Sequence, residues 1–137
     1  MEYILMGDPT SAVIDILSSA PQIQAFNCNG ISSNMVGFQR GMRWIIVDIH
    51  GGSWKWPAPP HPRVDIECIA EKRTTAYQIM ATCLAVMFAA QNNYRSIENN
   101  INLVCTQIET FPFESSEKDT DQVRYITSLR LIVRPYP

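Results

Sequence analysis

The stretch that decides the fold is Arg63 to Gln91, RVDIECIAEKRTTAYQIMATCLAVMFAAQ, because its apolar periodicity changes from two residues to nearly four. Val64, Ile66 and Cys68 alternate with acidic residues, which predicts a half-buried strand. The following apolar residues recur at helical spacing: Ala76, Ile79, Met80, Cys83, Leu84 and Met87. The junction at 70–74 has no glycine-rich phosphate loop, nucleophile elbow or metal-ligand spacing. This strand and helix are therefore predicted to pack rather than to catalyse.

The length and composition indicate one compact domain, residues 1–137. The chain is 46% hydrophobic and 18% charged, which is a globular composition with a low charge content. The formal net charge is -2, and the 11 Lys and Arg residues are spread along the chain. Since phosphate binding needs a basic face, these numbers argue against a dedicated nucleic-acid binder.

The cysteines give no metal or redox motif. Cys28, Cys68, Cys83 and Cys105 are far apart and form no CxxC pair, so we interpret them as small buried hydrophobes in a reducing compartment. No metal and no cofactor is expected. Met1 to Met6 is apolar but is interrupted at once by Gly-Asp-Pro, and no apolar run reaches the roughly twenty residues of a membrane span. We expect a soluble protein made in a cytoplasm.

The N-terminal third predicts one helix and one firm strand. Asp8 is a good N-cap, Pro9 suits the first helical position, and an apolar stripe follows as far as Pro21. The next segment is rich in Asn, Ser and Gly, with a possible short strand near Ser33 to Phe38. Arg43 to His50 is dense in branched and aromatic residues and is typical of a strand.

The remaining segments predict two hairpins. The first strand is expected to end at Gly51-Gly52, and four prolines make Ser53 to Pro62 an extended loop that leads into the strand of the opening stretch. After the central helix, Ile101 to Thr110 alternates as a strand, Phe111 to Asp121 is an acidic loop, and Gln122 to Arg134 forms the last strand.

The order helix, hairpin, helix, hairpin predicts an α+β domain. We expect a mainly antiparallel sheet of four to five strands with two α-helices packed on one face. The other face also carries apolar residues, among them Ile46, Ile126 and Ile132. A monomer has no evident use for them, so subunit contact is expected, although isolated exposed aliphatic residues are also ordinary.

Three pieces of the sequence carry a resemblance to a known family. They are the strand Pro62 to Ala70, the helix opening Arg73-Thr74-Thr75-Ala76, and the closing strand Tyr125 to Pro135. In this order the chain resembles the tail terminator, or tail completion, proteins of long-tailed bacteriophages, over most of its length from Arg43 onward. The sequence departs from that pattern in the Trp- and Pro-rich loop and in the Asn-rich stretch before it.

The resemblance implies a structural virion protein rather than an enzyme. Members of the family form a ring, usually a homo-hexamer, on the last ring of the major tail tube protein. The ring stops tube polymerisation and offers the head-tail joining surface, where a connector or stopper protein docks. DNA would pass through the lumen without specific binding, and no membrane and no cofactor would be involved. Localisation would be the virion tail or neck, after assembly in the host cytoplasm.

The loop Ser53 to Pro62 supplies the first candidate contact residues. Trp54, Trp56 and Pro57 are unlikely members of the hairpin core, and exposed aromatic residues often anchor interfaces. We predict that they contact a neighbouring subunit or ring. The alternative is that the loop folds back and buries both tryptophans.

Charged residues supply the second candidate set. Arg124, Arg130 and Arg134 share one face of the last strand and would pair with acidic groups across a subunit joint. Glu117 and Asp119 lie in the acidic loop, which would become ordered on assembly or remain a solvated turn. For both sets the ordinary alternative is a solvated surface.

Two other classes of function are compatible with the sequence. Another phage neck component, such as a head-completion, stopper or connector protein, or a general oligomeric scaffold would share this size and composition. A metal-dependent nuclease would use Asp48, Asp65 and Glu67 to hold magnesium, with His50 and His61 nearby. The lysine that such a site requires is absent from those strands, and carboxylates on the wet face of a strand are ordinary.

Overall fold

The computed structural model describes residues 5–55, 58–115 and 122–136. Over these residues the chain forms three helices and six strands: α1 (Pro9–Ser19), α2 (Pro21–Gln24), β1 (Gly30–Ser32), β2 (Trp44–Ser53), β3 (His61–Ala70), α3 (Arg73–Ala89), β4 (Arg95–Ser96), β5 (Ile101–Glu114) and β6 (Val123–Arg134). The strands form one sheet in the order β1-β2-β3-β6-β5-β4. β1 is parallel to β2, and the other neighbouring pairs are antiparallel. The predicted α+β class is confirmed.

The predicted numbers of strands and helices were wrong. β1 and β4 have three and two residues and α2 has four, so none is long enough to produce a recognisable periodicity. The possible strand at Ser33 to Phe38 is a turn, because the hydroxyl of Ser32 donates to the carbonyl of Asn34 at 2.6 Å and Asn34 Oδ1 accepts from the amide of Val36 at 3.1 Å. The short parallel strand lies just before it.

β2 does not end at its glycine pair. Gly51 and Gly52 have φ values of +78° and +115°, and the pairing register shifts between Ile49 and Gly52. A Cβ atom on Gly52 would lie 2.3 Å from the carbonyl oxygen of His61. Only glycine fits this bulge, so the strand bends and continues to Ser53. The same pairing places His61 at the start of β3, although it was predicted to lie in the loop.

β5 extends four residues beyond its predicted end. Pairing to β6 slips on both sides of Thr110, and the hydroxyl of Thr127 donates to the carbonyl of Thr110 at 2.6 Å. These irregularities accommodate Pro112 within an edge strand, after which Phe113 and Glu114 pair again with β6. The predicted loop therefore begins later, and its residues 116–121 lie outside the described ranges.

Both longer helices pack on one face of the sheet, as predicted. Asp8 caps α1 by accepting from the amides of Thr10 and Ser11 at 3.1 and 3.3 Å. Of the six apolar positions predicted for α3, five are buried and Leu84 is half-buried. They pack with alternate strand residues, which define the helix face of the sheet: Ile45, Val47, Val64, Ile66, Cys68, Tyr125, Leu129, Leu131 and Val133.

The cysteines are all free thiols. Cys68 and Cys83 are buried with their sulfur atoms 4.0 Å apart, whereas Cys28 and Cys105 are half-buried, so the prediction of four buried hydrophobes holds for two. Burial raises the pKa of the Cys68 thiol well above its ordinary value and that of Cys28 to about 11. None of the helices in the described ranges combines the length and apolarity needed to cross a membrane.

Candidate subunit interface

The face of the sheet opposite the helices, here called the open face, mixes apolar and charged residues. Strand pairing sets Ile46, Glu67 and Ile126 side by side across β2, β3 and β6. All three are half-buried. The sequence prediction of apolar groups on both faces is therefore confirmed for this row.

The charges of the open face are largely paired within the chain. Arg124 Nη1 lies 2.6 Å from Glu67 Oε1, and Arg130 Nε lies 3.4 Å from Glu109 Oε2. Two of the three arginines predicted to reach a neighbouring subunit thus already contact carboxylates on their own sheet. Arg134, at the end of β6, is exposed and lines a polar cleft beside β4.

Two of the carboxylates considered for a nuclease lie close together, beside His50 and Arg63. Asp48 and Asp65 are direct cross-strand partners, and His50 Nε2 lies 3.3 Å from Asp48 Oδ2 and 3.5 Å from Asp65 Oδ2. Arg63 Nε is 3.5 Å from the second oxygen of Asp65. Within residues 5–55, 58–115 and 122–136, no group of three or more His, Cys, Asp or Glu residues is arranged to hold a metal ion.

One end of the open face is covered by the Asn-rich segment. The indole of Trp44 packs edge-on against Phe38 with 5.9 Å between ring centroids, and its Nε1 donates to the carbonyl of Asn34 at 3.1 Å. Ile69, the cross-strand partner of Trp44, is fully buried. A Cβ atom on Gly30 would lie 2.4 Å from the indole, so glycine is required there. The segment that looked irregular in sequence closes a second, smaller core.

Trp54 lies at the opposite end of the sheet, where it folds partly back. Its Nε1 donates to the carbonyl of Ala58 at 2.9 Å, yet 48% of the residue stays exposed. It lines an apolar pocket of about 320 Å³ with Met6, Ile49 and Pro60 among the other walls. Trp54 is therefore neither fully buried by a folded-back loop nor fully exposed for contact with a neighbour, the two alternatives that the sequence left open. Four other predicted contact residues lie outside the described ranges: Trp56, Pro57, Glu117 and Asp119.

The sequence reasoning missed the apolar residues at the two margins of the sheet. Ile49 on β2 is 43% exposed and Ile108 on β5 is 38% exposed, and Phe111 and Phe113 are exposed farther along β5. The available signal was the helix-face alternation, which on β2 runs as far as Ile49 and on β5 continues past Thr106 toward Pro112. The two margins, the Trp54 pocket and the open face are the surfaces on which a partner can dock.

The class defined by this architecture is an α+β domain with a curved, largely antiparallel sheet, one helical layer and apolar sheet margins. No protein-family model matches the sequence, and no curated protein matches it.

Among solved structures, the fold is similar to that of a chain from the virion of a native gene transfer agent particle. The TM-score is 0.70 at 15% sequence identity, over 91% of this chain and 93% of that chain. At this identity the likeness establishes a shared fold.

Proposed function

We propose that this protein is a structural component of a phage-like virion and acts as its tail terminator. Six copies would form a ring on the last ring of the tail tube, stop its polymerisation and provide the surface on which the head docks. DNA would pass through the lumen, and the role would be assembly rather than catalysis. The protein would work in the tail or neck of the virion.

The observation that carries the coarser part of this proposal is the structural likeness. A chain that forms part of a virion shares the fold over nearly its whole length. The finer role is supported by the sequence resemblance of the strand Pro62 to Ala70, the start of α3 and the strand Tyr125 to Pro135 to tail terminators. These are the segments that build the centre of the sheet and its helical cover.

The surface is also suited to assembly. Apolar side chains are exposed at both margins of the sheet and in the Trp54 pocket, so one copy offers at least two different apolar surfaces. A closed ring needs two different contact surfaces on each subunit, and its axial faces need further ones for tube and head. Paired charges on the open face keep it polar without a net attraction for DNA phosphates.

The proposal is tested by mixing the purified protein with tail tubes and imaging their ends. We expect rings that cap the tubes and block further addition of tube protein. Trp54→Ala is expected to weaken capping about thirtyfold, because loss of an aromatic anchor costs about 2 kcal/mol. The capped fraction is counted by electron microscopy across protein concentrations.

The matched control is Val36→Ala, which shortens a side chain that is 81% exposed and far along the chain from the pocket. It should cap like the wild type. Thermal unfolding of both variants separates a lost contact from a lost fold. Wild-type protein that neither forms rings nor caps tubes would refute the terminator role.

A further inference from the structure

The two margins of the sheet have open edges. β1 covers only Trp44–Ile46 of β2, and β4 covers only Ile101 and Asn102 of β5. Beyond Asn102, backbone groups of β5 bond to the segment that follows α3. The last of these bonds is from the amide of Thr106 to Gln91 Oε1, at 2.9 Å. In the described part of the chain, no strand pairs with the outer edge of β2 after Ile46 or of β5 after Asn102.

The strand directions allow these two edges to join between copies. β2 and β6 run one way, and β3 and β5 run the other. If a second copy is placed beside the first in the same orientation, its β2 is antiparallel to the first copy's β5. Rotation about an axis roughly parallel to the strands preserves their direction, so the same contact can repeat around a ring.

A continuous apolar row ends at both edges. Strand pairing aligns Ile49, Val64, Leu129 and Ile108 across the helix face. The two inner residues are fully buried, whereas the isoleucines at the ends are 43% and 38% exposed. Bringing the β5 edge against the β2 edge of the next copy sets Ile108 against Ile49 and removes both from water.

The adjacent row on the open face is compatible with the same alignment. Asp48, Asp65, Ser128 and Thr110 lie side by side across β2, β3, β6 and β5. Continued into the next copy, this row brings the Thr110 hydroxyl, a donor, to the Asp48 carboxylate, an acceptor. Glu109 is the extra residue where the β5 register shifts between Ile108 and Thr110, and its carboxylate lies 3.4 Å from Arg130 Nε of its own copy. At the joint itself, neither row therefore sets two carboxylates directly opposite each other.

From these observations we infer that copies of this protein associate head to tail through their sheet edges. The segment Asp48–His50 of one copy pairs with Gln107–Thr110 of the next, with Glu109 as the extra residue of the β5 bulge, and Ile49 packs on Ile108. The Gly51-Gly52 bulge and Pro112 limit the ladder to this short segment, which restrains pairing with unrelated strands. The inference rests on the proposed ring and names the surfaces that close it.

Charge substitutions at the two ends of the apolar row test the contact. Ile49→Glu and Ile108→Glu each place a carboxylate in the joint and are expected to weaken self-association about tenfold or more. Ile97→Glu, at a residue 74% exposed in the turn after β4, is the matched control and should associate like the wild type. Sedimentation velocity measures association, and circular dichroism checks the fold.

Mixing the two variants gives the sharper result. Each variant retains one unmodified edge, so a mixture of the two should form dimers and no larger oligomers, whereas each variant alone should associate at least about tenfold more weakly than the wild type. Should either variant fail to fold, Ile49→Cys/Ile108→Cys oxidised with copper phenanthroline should give a ladder of covalent oligomers. Variants with only one of the two new cysteines, and the wild type with its four native cysteines, should give none.

The outcomes separate this contact from the terminator role. Rings that persist in both glutamate variants, or a double cysteine variant that does not cross-link within rings, would overturn the edge contact while leaving the terminator role intact. A wild-type protein that stays monomeric and leaves tube ends uncapped would overturn both.

Discussion

Replacing Ile66 by alanine is expected to lower the free energy of unfolding by about 3 kcal/mol and the melting temperature by about 10 °C. Ile66 is fully buried at the centre of β3, where it pairs with Val47 and Thr127 and faces the helical layer. Alanine leaves a cavity that rigid strands on both sides prevent from closing. Urea unfolding of the two proteins, followed by circular dichroism, measures the difference.

Ile126→Ala is the matched control because it makes the same change on the open face. Ile126 is only half-buried and lies beside the polar Glu67, so its loss should cost about 1 kcal/mol. The prediction thus compares the unfolding free energy lost when the same side chain is truncated on the two faces of the sheet. Equal losses would mean that the open face contributes as much to stability as the helix face does.

The sequence predicted the elements whose periodicity extends over many residues. The alternation around Ile66 and the helical spacing from Ala76 to Met87 each repeat often enough to identify strand, helix and buried face. β1 and β4 were missed because three and two residues are too few to show a periodicity. β1 also depends on contacts across 14 residues: the backbone amide of Asn29 donates to the carbonyl of Arg43 at 2.7 Å, and the amide of Arg43 donates to Asn29 Oδ1 at 3.0 Å. Neither bond leaves a local pattern.

The candidate interface was predictable to a smaller extent. Trp54 was predicted to be a contact residue from its residue type, and its half-exposed position keeps it a candidate. Ile49 and Ile108 were not predicted as contact residues, because they are exposed only by lying at opposite margins of the folded sheet. Arg124 was assigned to a partner because the sequence cannot place it 2.6 Å from Glu67, a residue 57 positions away.

A second large loss of stability is expected on replacing Arg43, which hydrogen-bonds to two other segments of the chain. Its Nη2 and Nε bond to the carboxylate of Glu71 at 2.7 and 3.2 Å, and its Nη1 donates to the carbonyl of Phe26 at 2.8 Å. Both charged side chains are about one-third exposed, which reduces their interaction energy. Arg43→Ala should still cost about 2 kcal/mol, because a carbonyl and a carboxylate lose their donors together. Arg43→Lys should recover little, since an ammonium group cannot supply the planar fork.

The same pair should make stability depend on pH in a defined window. Hydrogen bonds from Arg43 hold the pKa of Glu71 below its ordinary value of 4.5. Since the folded pKa is the lower one, the stabilisation is complete above pH 4.5 and is lost as pH falls through the folded pKa. Glu71→Gln should therefore be less stable than the wild type near neutral pH, and the two unfolding curves should converge in acid. Glu98→Gln, at an exposed acid in the turn before β5, should follow the wild type throughout. A Glu71→Gln deficit that stays constant into strong acid would mean that the carboxylate contributes through shape rather than charge.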